Sequence, residues 1–294
     1  MAEPITHVLL DIEGTTCPVA FVGDTLFPYA AAHLRAFLLA HAESTAVRPL
    51  LEEVREAWSL DPQAGQTAWG GTDEEEAGKT PGMAMNESTS NKTKTSGFKT
   101  NEIQISETKF HIITNHEVSI LADYLIKLIN HDRKLPALKE LQGMIWEEGY
   151  SRGEIKAPLF PEVATALKQW QQAGLLLGVY SSGSITAQQL LYAHTTDGDL
   201  KPMFSAWFDT RTGAKQAISS YHSIAKAWGA EPGSILFVSD SIAEVAAAQG
   251  AGMAVAFSNR EGNPHRNSRG LLQVTSLVQL NPLLRNGAPA EPKT

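Results

Sequence analysis

Residues 8–18 read VLLDIEGTTCP. An apolar run ends at Asp11, a second carboxylate follows at Glu13, and Gly14, Thr15 and Thr16 come next. An apolar run of this length that stops at a polar residue is the pattern of a strand buried on both faces of a parallel sheet. Its end admits two readings. A lone acid at a strand end is most often a turn former. Two acids beside a glycine also suit a site that holds a metal ion and attacks a phosphate.

The same pattern recurs. THVLLD (6–11), LLLGVYSS (175–182), SILFVSD (234–240) and GMAVAFS (252–258) each have the length of a buried strand. Between the later ones, ITAQQLLYAH (185–194) and SIAEVAAAQGAG (241–252) carry helical spacing, the second closed by Gly250 or Gly252. The alternation predicts an α/β fold built on a parallel sheet. From residue 12 to residue 174 there is no comparable strand. That interval holds LFPYAAAHLRAFLLAHA, VRPLLEEVREAW, EVSILADYLIKLIN and ALKELQGMIWEEGY, all with apolar residues at helical spacing. Its aromatic residues, such as Trp146 and Tyr150, read as helix core. A helical insertion placed directly after the first strand stands over the carboxyl end of the sheet, where open α/β sheets bind ligands. The expected division is a catalytic core of 1–22 and 157–280, a helical cap of 23–156, and a flexible tail of 281–294. Residues 72–110, rich in Thr, Ser, Asn, Lys and Glu without an apolar period, read as a disordered insertion in that cap.

Composition narrows the function. A net charge of −8 on 294 residues argues against a nucleic-acid partner, which would need a basic stripe to neutralise backbone phosphates. A small anionic substrate stays open, because a local lysine and a metal ion override the global field. The only cysteine, Cys17, reads as buried and inert, and a reducing compartment is expected. The start lacks the basic and apolar regions of a signal peptide, and no run approaches the roughly 18 apolar residues of a membrane span. A cytosolic protein is expected, with nuclear access open. The nine histidines show no zinc-ligand spacing.

Polar residues gather where the predicted strands end: Asp11 and Glu13, then Ser181 and Ser182, then Asp240 with Glu244 four residues on. Lys215, in FDTRTGAK after another short apolar run, reaches the same crevice. Each residue alone has a plain explanation: a turn, a loop, a solvated charge, or an acid favoured by the first turn of a helix. Together they form a set for phosphoryl transfer. Asp11 would attack phosphorus, Asp11 and Asp240 would hold Mg²⁺, and Ser181 and Lys215 would bind phosphate oxygens.

DIEGTT with FVGDTLFPYA, VYSSGSITAQQLLY, FDTRTGAK and FVSDSIAEVAAAQGAGM resemble the haloacid dehalogenase-like phosphatases, and within them the acireductone-forming enolase-phosphatases of methionine salvage. LQGMIWEEGYSRGEIKAPLFPEV resembles the same group. The resemblance implies a Rossmann-like core with a helical cap, one Mg²⁺ per subunit and a monomer. The implied substrate is the phosphorylated diketone 2,3-diketo-5-methylthiopentyl-1-phosphate, enolised and then dephosphorylated. Asp11, Glu13 and Asp240 fall on the metal positions of the family, and Ser181, Ser182 and Lys215 on its substrate-phosphate positions. Related phosphatases contact the metal through the backbone carbonyl at the position of Glu13, which leaves its side chain for proton transfer. Most relatives carry Asp there. Glu is one methylene longer, and the expectation is that it takes the C1 proton in enolisation. Three other readings compete: a generic small-molecule phosphatase, a metal-free dehalogenase, and a receiver-like phosphoacceptor module, which would be much shorter and uncapped.

Overall fold

The computed structural model describes residues 3–62, 64 and 113–285. The chain builds a six-stranded sheet from β1 (His7–Leu10), β2 (Leu176–Tyr180), β3 (Phe204–Phe208), β4 (Ile235–Ser239), β5 (Ala254–Ser258) and β6 (Gln273–Val274). The order is β3-β2-β1-β4-β5-β6 and every pair is parallel. Four of these strands are the apolar runs expected from sequence. Strand β1 sits between β2 and β4, with Leu10 opposite Val179 and Val238. Asp11 therefore leaves the sheet level with Tyr180 and Ser239, one residue before Ser181 and Asp240, at the point where the strand order reverses direction.

All four residues of β1 are buried, and their alternation separates two apolar layers. Val8 and Leu10 face one side, with Val179 and Val238. Leu9 faces the other, with Tyr180 and Phe237. On the Leu9 side the cover is α8 (Ile218–Trp228) and α9 (Ile242–Gly250), through Tyr221, Ile224, Ala247 and Ala248. On the Val8 side it is α6 (Val163–Gln172), α7 (Ile185–Ala193) and the short α10 (Asn281–Arg285). Helix α9 ends at Gly250, and Gly252 takes the left-handed conformation beyond it.

Between β1 and β2 the described chain is helical. A single turn, α1 (Val19–Phe21), passes through a π-helical stretch, Val22–Leu26, into α2 (Phe27–His41), followed by α3 (Arg48–Leu60), α4 (Asn115–Asn130) and α5 (Pro136–Ser151). The apolar faces of these helices run continuously into the core beneath the sheet. Trp146 and Tyr150 are buried as expected, and the Trp146 indole N–H donates to the carbonyl of Leu26 at 2.8 Å. Among the described residues no helix is long and apolar enough to cross a membrane.

Two expectations need comment. The first part of the tail expected to be flexible is ordered: Asn281–Arg285 form α10, Leu284 is buried, and Asn281 accepts the indole N–H of Trp170 at 2.8 Å. One apolar anchor, Leu284, and one polar one, Asn281, dock a five-residue helix that sequence alone leaves without a partner. The stretch 72–110 lies outside the described residues.

The described residues flanking that stretch are anchored to one another. Asp61, just past α3, accepts the Tyr124 hydroxyl of α4 at 3.1 Å and pairs with Arg133 at 2.5 Å. Helix α4 starts with a reciprocal capping box in which Thr114 and Glu117 each bind the other's backbone N–H. Deleting residues 72–110 should therefore shift the melting temperature by no more than about 2 °C and leave activity intact, since long surface insertions change closure entropy little. A loss of several degrees in a thermal melt would make the stretch part of the fold.

Candidate active site

The turn after β1 is built from backbone first. The N–H groups of Thr15, Thr16 and Cys17 all point at the carbonyl of Ile12, and Gly14 N–H donates to Cys17 O at 2.8 Å. Gly14 has φ +66°, and a β-carbon there would stand 2.2 Å from Asp240 Oδ2, so only glycine fits both the torsion and the space. Distant residues lock this turn. Ser258 Oγ and Asn263 Nδ2 both donate to Gly14 O, at 2.8 and 2.9 Å. Arg260 donates to Thr15 O at 2.9 Å and pairs with Glu162 at 2.6 Å. The Thr16 hydroxyl meets that of Tyr192 at 2.7 Å.

Asp11 is 5% exposed and sits at the centre. Its Oδ1 accepts Lys215 Nζ at 2.6 Å and its Oδ2 lies 3.2 Å from Ser239 Oγ. Lys215 has a second carboxylate partner, Glu244 Oε2 at 2.7 Å, and Ser239 Oγ lies 2.9 Å from that same oxygen. Burial works against the ammonium, but Asp11 and Glu244 outweigh it and hold Lys215 above its ordinary value. The loop that delivers Lys215 is pinned to the core: Tyr180 OH donates to Gly213 O at 3.0 Å, Tyr221 OH to Lys215 O at 2.7 Å and Ser220 Oγ to Ala214 O at 2.7 Å. The Tyr180 ring also faces the ammonium, 5.7 Å from its centre.

Negative charge exceeds positive here. Burial, then the Asp11 charge, raises the carboxyls of Glu13, Asp240 and Glu244 each to about 7, against the partial relief that Lys215 supplies. Four carboxyls around one ammonium, in a site this buried, call for a further cation. Among the described residues, however, no three His, Cys, Asp or Glu side chains converge as a metal-binding group. This accords with a set in which only Asp11 and Asp240 were expected to offer side chains and the Glu13 side chain was expected to stay free for proton transfer. The carboxylates of Asp11 and Asp240 are oxygen donors of the kind Mg²⁺ takes, since this hard ion binds few protein oxygens and keeps several waters.

Ser181 and Ser182 separate. Ser181 is buried at the end of β2, and its Oγ accepts Gly183 N–H at 3.2 Å, leaving its own hydrogen to donate. Ser182 is exposed, and its carbonyl accepts Lys139 Nζ from α5 at 2.9 Å. A positive charge on Lys134, in the loop before α5, also acts on Glu13. The sequence reading did not identify Ser239, Lys139 or the pinning tyrosines. Ser239 has the only local signal, as the polar residue just before Asp240. Cys17 is buried, as expected, and burial, then the Glu13 charge, pushes its thiol up to about 12.

Two solution properties follow. At pH 8 the Cys17 thiolate fraction is on the order of 10⁻⁴, so iodoacetamide should label the native protein negligibly and the guanidinium-unfolded protein rapidly. Prompt native labelling would contradict the burial. Separately, a carboxyl whose folded pKa is raised costs no stability below its unfolded value near 4.5, and destabilises the fold increasingly as pH rises through about 7. A cation that displaces those protons should act oppositely. Adding millimolar Mg²⁺ to chelator-treated protein should raise the melting temperature by several degrees at pH 8 and by little at pH 5.5. Equal shifts at both would show that these carboxyls do not bind it.

A family profile described as haloacid dehalogenase-like hydrolase matches residues 5–252. The chain is 44% identical over 280 residues to enolase-phosphatase E1 of Synechococcus sp. strain CC9605, covering 95% of this chain and 97% of that one. It is 43% identical over 263 residues to enolase-phosphatase E1 of Prochlorococcus marinus strain MIT 9313, covering 90% and 92%. It is 37% identical over 279 residues to that of Pseudomonas syringae pv. syringae strain B728a, covering 95% and 98%. Among solved structures, the UTR4 protein of Saccharomyces cerevisiae is similar with a TM-score of 0.63 and 27% identity, over 92% of this chain and 96% of that one. With the buried Asp11 at the switch point of its parallel sheet, this chain belongs to the enolase-phosphatase E1 family of haloacid dehalogenase-like hydrolases.

Proposed function

We propose that this chain is a Mg²⁺-dependent enolase-phosphatase of methionine salvage. It converts 2,3-diketo-5-methylthiopentyl-1-phosphate to the acireductone 1,2-dihydroxy-3-keto-5-methylthiopentene and phosphate. The observation that carries this reading is the division of labour between two acids two residues apart. Asp11 accepts the Lys215 ammonium at 2.6 Å, which suits a nucleophile. Glu13, raised to about 7, is poised to give and take protons at neutral pH.

In this reading Ser181, Ser182 and Lys215 hold the substrate phosphate, Glu13 takes the proton from C1, and a solvent proton on the C2 oxygen completes the enol. Asp11 Oδ then attacks phosphorus, the bond from phosphorus to the substrate oxygen breaks, and Glu13 protonates that oxygen. Water hydrolyses the aspartyl-phosphate and restores Asp11. Bound at Asp11, Asp240 and the Glu13 carbonyl, Mg²⁺ supplies charge neutralisation that lets an anionic nucleophile approach an anionic phosphate. Ser239 and Glu244 fix the two partners: the hydroxyl lies between Asp11 and Glu244, and Glu244 keeps Lys215 from following Asp11 alone.

We assign 1–22 and 157–280 to the catalytic core and 23–156 to a helical cap. The ammonium of Lys139 on α5 joined to the Ser182 carbonyl supports a cap that closes on the phosphate loop. The net charge of −8 supports a small substrate rather than nucleic acid, and we take the working unit as a monomer. A cytosolic setting accords with bacterial metabolic relatives, which lend no support to nuclear access.

The test follows phosphate release and the ultraviolet absorbance of enol products from the diketone phosphate, with Mg²⁺ and with chelator. Phosphate and enol should appear together, and only with Mg²⁺. Asp11→Asn should abolish phosphate release, while Glu13→Gln should slow enolisation by roughly 10² to 10⁴-fold. Normal enolisation with loss of phosphate release alone in Glu13→Gln would remove the base assignment. Hydrolysis of simple phosphate esters without any enol signal would reduce the protein to a general phosphatase.

A further inference from the structure

Asn263 stands 252 positions after Asp11 in sequence yet shares its turn, and none of the chemistry above uses it. It is 7% exposed. Its amide orientation is set by two acceptors: Nδ2 donates to Gly14 O at 2.9 Å and to Ser258 O at 3.1 Å. A flipped amide would set its oxygen against both carbonyls. Oδ1 therefore points the other way, and there it is buried with no hydrogen-bond partner.

The direction in which it points is informative. A β-carbon placed on Gly14 would lie 2.8 Å from Asn263 Oδ1 and 2.2 Å from Asp240 Oδ2. The amide oxygen and the carboxylate oxygen thus border one small space over the Gly14 backbone. Both are acceptors. A buried acceptor left without a donor costs about 1–3 kcal/mol, and two acceptors facing a common space need a donor that serves both. The nearest backbone donor, Gly14 N–H, is already spent on Cys17 O, and the backbone N–H that the Asp240 carboxyl receives is its own, so Asn263 Oδ1 is left without a donor. Lys215 lies on the far side of Asp11, bound to Glu244.

We propose that Asn263 is a positioning residue for the divalent cation: its Oδ1 accepts a hydrogen from a water that the cation carries next to Asp240. The amide nitrogen holds the Gly14 turn in place while the amide oxygen orients the cation's water, so one side chain couples the turn to the metal shell. Outer-shell partners of this kind set ligand direction and typically change metal affinity by 10–100-fold. The inference rests on the reading that Asp11 and Asp240 hold Mg²⁺.

The test measures Mg²⁺ affinity by titration calorimetry on the full chain without substrate, alongside melting temperature. Asn263→Ala removes both the tether and the acceptor and should weaken Mg²⁺ 10–100-fold. Asn263→Asp keeps an oxygen at Oδ1 but loses the amide donors. It should lower the melting temperature while binding Mg²⁺ within about threefold of wild type or tighter, the range left when outer-shell support is kept. Ser258→Ala loosens the same carbonyl without touching Oδ1 and should bind Mg²⁺ as wild type does. Equal loss of affinity in Asn263→Ala and Asn263→Asp, or none in Asn263→Ala, overturns the role given to Asn263 and leaves the metal reading intact. If Asn263→Ala does not fold, a loss of more than tenfold in Asn263→Asp overturns it by itself. Wild-type protein that binds no Mg²⁺ overturns the metal reading and this inference with it.

Discussion

The balance of buried charge governs this molecule. Asp11, Glu13, Asp240 and Glu244 gather at the carboxyl ends of two strands, β1 and β4, and one ammonium, Lys215, stands among them. In a low-dielectric site such an excess is tolerated only with protons or a cation. The same imbalance that penalises the fold creates the chemistry. It sets Asp11 against the ammonium of Lys215 and pushes the other carboxyls up towards neutral pH.

Rigidity around that charge comes from residues far along the chain. The turn at 12–17 is closed by its own backbone, but Ser258, Arg260 and Asn263 fasten its outer carbonyls, and Glu162 holds Arg260 in turn. The Lys215 loop is fastened by Tyr180, Tyr221 and Ser220. Phosphoryl transfer is helped mainly by fixed position and fixed dipoles, and these hydrogen bonds provide both without occupying the catalytic oxygens. Of the helices between β1 and β2, α5 reaches the site, with Lys139 donating to the Ser182 carbonyl.

Much of the core was legible because buried parallel strands are short apolar runs. β1, β2, β4 and β5 stand out in the sequence for that reason, and so do α2 to α5, whose apolar faces repeat at helical spacing. β3 was visible only as an unspecific apolar run before FDTRTGAK. The two-residue β6 and the docked helix α10 have no signal of their own, because each depends on a neighbour in space: β5 for β6, Trp170 for α10. In the site, Asp11, Ser181, Lys215 and Asp240 were readable from their place after strands. Glu13 was readable too, with its side chain expected to be left for proton transfer; how far burial raises it depends on its surroundings in space. Ser239 was hidden inside a strand, and Asn263 inside a loop with no motif.

Sequence by itself determined what needs only local order: the strand that ends at Asp11, the acid two residues on, the glycine that lets the turn close, and the strand ends carrying Ser181 and Asp240. These follow from periodicity, residue type and the rule that parallel strands present their carboxyl ends together. Tertiary structure alone decided which acid shares Lys215 with Asp11, which carboxyls are pushed towards neutrality, and which distant amide faces the space beside Asp240. Those outcomes depend on distances of a few ångströms between residues up to 252 positions apart, and on the loss of water around them. Charge and hydrogen-bond energies change steeply over such distances and with burial, and a linear sequence encodes neither.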